Sequence, residues 1–172
     1  KDEPLVNREI YALALAGLVL ATVMYQYNIK PLKMLVATID GVEWYDDSKA
    51  TNVEAARRSL EAFDRPVLVV LGGRWKGGDF GELAPELQRH GRRVLAIGEA
   101  RGRVAAALAG IVPVDPCGSL REAAERARAE ARPGDVVLLA PACSSFDMFA
   151  DYADRGRQWK AEVRRLAEAG RG

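Results

Sequence analysis

The residues best equipped for chemistry lie together in Tyr45-Asp46-Asp47-Ser48-Lys49-Ala50-Thr51-Asn52, where two carboxylates, a lysine and two hydroxyls separate an apolar run from a helical pattern. Val42 and Trp44 alternate with polar positions over residues 41–45 as in a strand, and Asn52 suits the N-cap of a helix over residues 53–63. The stretch reads as a strand-to-helix loop at the carboxyl end of a strand, the edge where open α/β sheets bind ligands. Taken alone it also fits an ordinary polar loop with a capping asparagine. A second loop, Gly72-Gly73-Arg74-Trp75-Lys76-Gly77-Gly78-Asp79-Phe80, follows a continuous Val/Leu run over residues 66–71 of the kind buried on both faces of a parallel sheet. Its glycines permit tight turns and close approach to a ligand, and Arg74 and Lys76 supply positive charge for a carboxylate or phosphate. Neither G-x-x-x-x-G-K-[ST] nor G-x-G-x-x-G fits it.

A third loop, Pro141-Ala142-Cys143-Ser144-Ser145-Phe146-Asp147-Met148-Phe149, follows the apolar run over residues 135–140. Ser144 and Ser145 are placed to cap the next helix or to bond a carboxylate at its N-terminus, where free N–H groups and the helix dipole favour an anion. Cys143 reads as a buried structural cysteine, because the only histidine, His90, sits in a polar helix tail and no second histidine is present to act as its base.

Three such loops in this order resemble the C-terminal domain of the Mur ligases. The words DDSKATN, LGGxxKGxDF and PAC(A/S)S(F/L)DxF carry the resemblance, which runs over about residues 41–166. They are closest to the branch of the family that adds D-glutamate to UDP-N-acetylmuramoyl-L-alanine. Arg155-Gly156, followed by Gln158 and Trp159, resembles the family's closing R-G-x-x-F/W signature. The resemblance implies an ATP-dependent amide-forming ligase of peptidoglycan precursor synthesis, on which cell shape and division depend. In that reaction a carboxylate is phosphorylated by ATP and the amine of D-glutamate attacks the acyl phosphate.

The resemblance also implies roles residue by residue. Asp47 matches the aspartate that holds the ATP ribose, and Lys49 the catalytic lysine close to the nucleotide phosphates. A carboxylate suits paired hydroxyls and an ammonium suits phosphate. Thr51 and Lys76 match residues that grip D-glutamate; Ser145, with Phe146 beside it, and the backbone of Tyr152 match those on its other carboxylate. Tyr152 stands where the family usually has Phe, a change that a backbone contact tolerates. ATP and Mg2+ are the implied cofactors, with the magnesium ligands mainly in a central domain that this sequence lacks along with its phosphate loop. The chain is therefore expected to be inactive alone and part of a longer, monomeric enzyme.

Residues 1–40 read as an apolar helical segment, a remnant of the central domain, ahead of a D-glutamate-binding domain over residues 41–172. Asn7-Arg8-Glu9 before an alanine-rich run resembles the opening of a central-domain helix, with Val6 and Ile10 departing from the H-N-x-x-N pattern. Residues 10–27 are uncharged and just reach spanning length, so a buried helix and a membrane anchor are both readings of them. A Mur-derived ligand-binding or regulatory module, tethered by that helix and ligating nothing, is the alternative function.

Composition points to a soluble cytoplasmic domain. A net charge of +1 leaves no nucleic-acid footprint, and the Arg-rich stretches over residues 121–132 and 155–165 alternate with Glu and Ala as solvated helix faces do. Two cysteines in different contexts suggest reduced thiols. Strands are expected over residues 41–45, 66–71, 93–97, 111–114 and 135–139, with helices between them. That alternation predicts an α/β fold, a mostly parallel Rossmann-like sheet flanked by helices, with the apolar helix at its amino-terminal end. Gly98-Glu99-Ala100-Arg101-Gly102 reads as a further ligand loop or, in preference, as a strand-to-helix turn.

Overall fold

The computed structural model describes residues 34–170. Their strands are β1 (Met34–Ile39), β2 (Val42–Asp46), β3 (Val67–Gly72), β4 (Gly91–Ile97), β5 (Val114–Pro116) and β6 (Val136–Leu139). The α-helices are α1 (Val53–Leu60), α2 (Ala84–His90), α3 (Arg101–Ala107), α4 (Leu120–Glu130) and α5 (Tyr152–Ala169), and one 3-10 turn spans Phe80–Leu83. The six strands form one sheet in the order β1-β2-β6-β3-β4-β5. All neighbours pair parallel except β1 and β2, which are antiparallel.

The central strands are apolar throughout because both faces are covered. Val67, Val69, Leu71, Val94, Ala96, Val136 and Leu138 face one core, with Val53, Ala56, Leu60, Leu87, Val104 and Leu108 of α1, α2, α3 and the turn after it. Their neighbours Leu68, Val70, Leu95, Ile97, Val137 and Leu139 face the other, against Leu120, Ala123 and Ala127 of α4 and Trp159, Val163 and Leu166 of α5. The period of two along each strand thus divides a three-layer α/β/α sandwich.

Helix starts follow from local capping. Asn52 accepts a hydrogen bond from Ala55 N at 2.8 Å, Ser119 from Glu122 N at 3.1 Å, and Asp151 from Asp154 N at 2.6 Å. The last of these corrects the expectation for Ser144 and Ser145: neither caps the next helix, which begins only at Tyr152.

Two strands differ from expectation. β1 occupies residues assigned by the sequence to the apolar segment; it joins β2 through Asp40 (φ 51°) and Gly41 (φ 77°), with Ile39 opposite Val42. A two-residue Asp-Gly turn with both residues at positive φ matches the twist of a hairpin. The fifth strand lies at Val114–Pro116 rather than over residues 111–114, because Ile111 and Val112 bond back to the Leu108 carbonyl and extend the turn after α3. The helix expected over residues 10–27 lies outside the described residues. Among those described, no helix is long and apolar enough to cross a membrane.

Candidate functional site

Strands β2, β6, β3 and β4 run parallel and side by side, so the loops that leave their carboxyl ends share one edge. Backbone bonds join these loops directly. Ala142 N donates to Ala50 O at 2.9 Å, tying the loop after β6 to the loop after β2. On its other side Gly72 N donates to Pro141 O at 2.8 Å, and Arg74 and Ser144 exchange bonds of 2.9 and 3.2 Å as an isolated antiparallel bridge. The loop after β4 joins through Ala100 N to Gly73 O at 3.0 Å and Glu99 N to the Asp147 carboxylate at 2.9 Å.

Glycine is required where these backbones touch. A Cβ on Gly73 (φ 134°) would stand 2.3 Å from Ser144 O, and one on Gly98 (φ 67°) would stand 2.8 Å from the Gly73 Cα. Ala142, which follows β6, holds a positive φ of 59° without being glycine. Such a conformation in a non-glycine residue is uncommon and marks a turn fixed by its surroundings.

The first loop carries Asp47, Lys49 and Thr51. Asp47 is half-buried and its carboxylate accepts a hydrogen bond from Ser59 Oγ of α1. Lys49 is exposed, and no described residue pairs with its ammonium. Thr51 is half-buried, its N–H bonded to Lys49 O at 2.8 Å. Beneath them Asp46 is buried, accepting from Ser48 N at 2.9 Å and pairing with Lys160 Nζ at 3.1 Å. Among the described residues, then, nothing neutralises Lys49, while the two aspartates of its loop are held from behind.

Lys76 extends from the exposed glycine loop, its Nζ 5.3 Å from the centroid of the Phe146 ring. Phe146 is 56% exposed, while neighbouring Ser145 is buried and accepts Met148 N and Phe149 N through its carbonyl. Tyr152 is the first residue of α5, at a helix N-terminus that favours an anion. The structure therefore brings Lys76, Ser145 and Phe146 together across the β3 and β6 loops. Asp47, Lys49 and Thr51 lie in the β2 loop, and the glycine loop reaches the helix that follows it at Gly78, where a Cβ would stand 3.0 Å from the Val53 side chain.

Arg155 corrects the sequence reading of a solvated face. It is fully buried, donating to Cys143 O at 3.1 Å and to Ser48 O at 3.0 Å. Its match to the R-G-x-x-F/W signature was the available signal, since a motif arginine before glycine is a poor candidate for mere surface charge. Cys143 is buried as expected; burial pushes its thiol up to about 12, so it is no nucleophile near neutral pH. Among the described residues no cluster of three or more His, Cys, Asp or Glu could hold a metal ion.

Residues 34–143 match the model of the Mur ligase glutamate ligase domain. The chain is 49% identical over 132 residues to the UDP-N-acetylmuramoylalanine–D-glutamate ligase of Chlorobaculum parvum and 50% over 129 residues to that of Syntrophus aciditrophicus. These alignments take in 77% and 75% of this chain but 28% of each relative, so the chain spans less than a third of their length. Among solved structures it resembles a murein peptide ligase from Psychrobacter arcticus, with a TM-score of 0.58 at 15% identity over 80% of this chain and 29% of that one. A domain of a Haemophilus ducreyi ligase gives 0.55 at 20% identity, over 80% and 98% of the two chains. At those identities the likeness concerns the fold. On the family match and the close relatives together, the chain belongs to the Mur ligase family.

Proposed function

We propose that this chain supplies the D-glutamate-binding part and a share of the ATP-binding part of a cytoplasmic ligase. That ligase joins D-glutamate to UDP-N-acetylmuramoyl-L-alanine for peptidoglycan synthesis. One observation carries the reading: two exposed lysines, Lys49 and Lys76, extend from loops flanking the β6 turn with no carboxylate partner among the described residues. Unneutralised cations beside small-residue loops are suited to an anionic nucleotide on one side and a dicarboxylic amino acid on the other.

Asp47 takes the ribose hydroxyls, and Lys49 lies against the phosphates, where it stabilises charge as phosphate passes to the muramoyl-alanine carboxylate. Lys76 and Thr51 hold one carboxylate of D-glutamate; Ser145 and the Tyr152 N–H hold the other, with Phe146 lining the site beside them. The amine then attacks the acyl phosphate, forming the amide and releasing phosphate. Catalysis here is chiefly positioning and charge neutralisation. Magnesium, where it accompanies the nucleotide, would be held mainly by groups of a central domain.

The test is phosphate release by the protein carrying this chain, supplied with ATP, magnesium and UDP-N-acetylmuramoyl-L-alanine, with D- or L-glutamate added. Release should require the D-isomer. Lys76→Ala should abolish that requirement's satisfaction at ordinary concentrations while leaving the melting temperature unchanged, since Lys76 is exposed. Release indifferent to D-glutamate would overturn the reading.

A further inference from the structure

We propose that Trp75 is a positioning residue for Lys76, clamped by Arg103 so that the lysine ammonium is presented at a fixed place for a carboxylate. This rests on the assignment of Lys76 to D-glutamate. Residues 74–79 are all exposed, and Gly77 (φ 113°) and Gly78 (φ 91°) give the loop no stiffness of its own. Its base is secured by the Arg74–Ser144 bridge, strengthened by Ser144 Oγ donating to Arg74 O at 3.2 Å. Its far end is anchored by buried Phe80 and by Asp79, whose carboxylate accepts Gly81 N at 2.8 Å; the stretch from Trp75 to Gly78 between these ends needs a tether of its own.

Trp75 provides it twice. Its indole Nε1–H donates to Gly78 O at 3.2 Å, closing the loop across Lys76 and Gly77. The Arg103 guanidinium carbon lies 4.3 Å from the centroid of the Trp75 ring, a cation–π stack. Arg103 belongs to α3, which Val104 anchors in the core, and no described carboxylate competes for its charge. The indole thus links a glycine loop to a rigid helix. Lys76, between the two tethers, comes to lie over Phe146. An arginine stacked on a half-exposed tryptophan contributes little to the core, so its consequence falls on the loop it holds.

The experiment is nuclear magnetic resonance on the full chain, with and without D-glutamate, for the wild type, Trp75→Ala, Arg103→Ala, Arg103→Lys and Lys76→Ala. Without ligand, the Lys76 ε-methylene resonance should carry a ring-current shift from Phe146. Trp75→Ala and Arg103→Ala should move it towards the random-coil position, and Arg103→Lys should restore part of it. D-glutamate affinity should fall about three- to tenfold in the first two variants, the scale of one lost cation–π contact. Melting temperatures should stay within about 2 °C of wild type, as for surface substitutions. An unchanged Lys76 resonance in Trp75→Ala would overturn the proposal whatever the affinity. Loss of binding in Lys76→Ala but not in Trp75→Ala would refute the clamp and keep the glutamate site. Binding unaffected by Lys76→Ala would instead refute the glutamate assignment itself.

Discussion

Arg155 donates from Nη2 to the Ser48 carbonyl oxygen at 3.0 Å, joining the first turn of α5 to a loop 107 residues earlier. Its Nη1 reaches Cys143 O at 3.1 Å, so one buried side chain fixes the spacing of the β2 and β6 loops. Burial pulls its pKa down to about 10, against the opposing influence of Cys143, Asp147 and Asp46, and the group stays protonated at neutral pH. Arg155→Met should cost about 2–6 kcal/mol, because two inward carbonyls lose their donor at roughly 1–3 kcal/mol each. Urea denaturation measures this; an unchanged midpoint would mean that water replaces the guanidinium without loss.

Gly73 and Gly77 both hold positive φ, so alanine strains the backbone at either. They differ in their surroundings. A Cβ at Gly73 would meet Ser144 O at 2.3 Å, whereas one at Gly77 meets nothing within 4 Å. Gly73→Ala should therefore destabilise by about 2 kcal/mol or more beyond Gly77→Ala, the scale of overpacking against fixed backbone. Equal denaturation midpoints for the two variants would show that the β3 and β6 loops are not locked together at this point.

Ser59 is buried on α1 and donates its hydroxyl hydrogen to the Asp47 carboxylate. On the proposed role of Asp47 towards the ribose hydroxyls, that bond is what orients the carboxylate. Ser59→Ala should raise the KM for ATP several-fold, consistent with loss of about 1 kcal/mol of hydrogen bonding, while the KM for D-glutamate stays constant. A parallel rise in both would indicate general damage to the loop rather than misorientation of Asp47.

The sheet was legible where chemistry and pattern agreed. The Val/Leu runs behind β3 and β6 could hardly be anything but doubly covered strands, and Asn52 announced α1 by a capping bond that the structure contains. β1 was missed although Asp40-Gly41 is a strong hairpin signal, because the preceding apolar residues drew Met34–Ile39 into a helical reading. The burial of Arg155 was hidden for a physical reason. An arginine among Asp154, Arg157 and Lys160 has the pattern of a solvated helix, and only the three-dimensional approach of two carbonyls makes its burial tolerable. The stack of Arg103 on Trp75 joins residues with no shared motif, so spacing alone carries no trace of it.

Cys117 and Cys143 are buried free thiols whose pKa values burial raises to about 11 and about 12 respectively. A group whose pKa rises on folding binds its proton more tightly in the folded chain, so its contribution to stability is whole below the unfolded value of 9.0. That contribution is lost as pH climbs from 9 through the folded values, because the unfolded thiols ionise first. By pH 10 each thiol should have forfeited about 1.4 kcal/mol. Urea denaturation of the wild type and of Cys117→Ala/Cys143→Ala across pH 7 to 10 isolates the effect as a difference in slope, whatever cavities the alanines leave. The wild-type curve should fall more steeply above pH 9, and native protein at pH 8 should resist thiol reagents until it unfolds. Parallel curves, or rapid labelling of the native chain, would place the thiols in contact with solvent and contradict their burial behind the β6 loop and beneath α4.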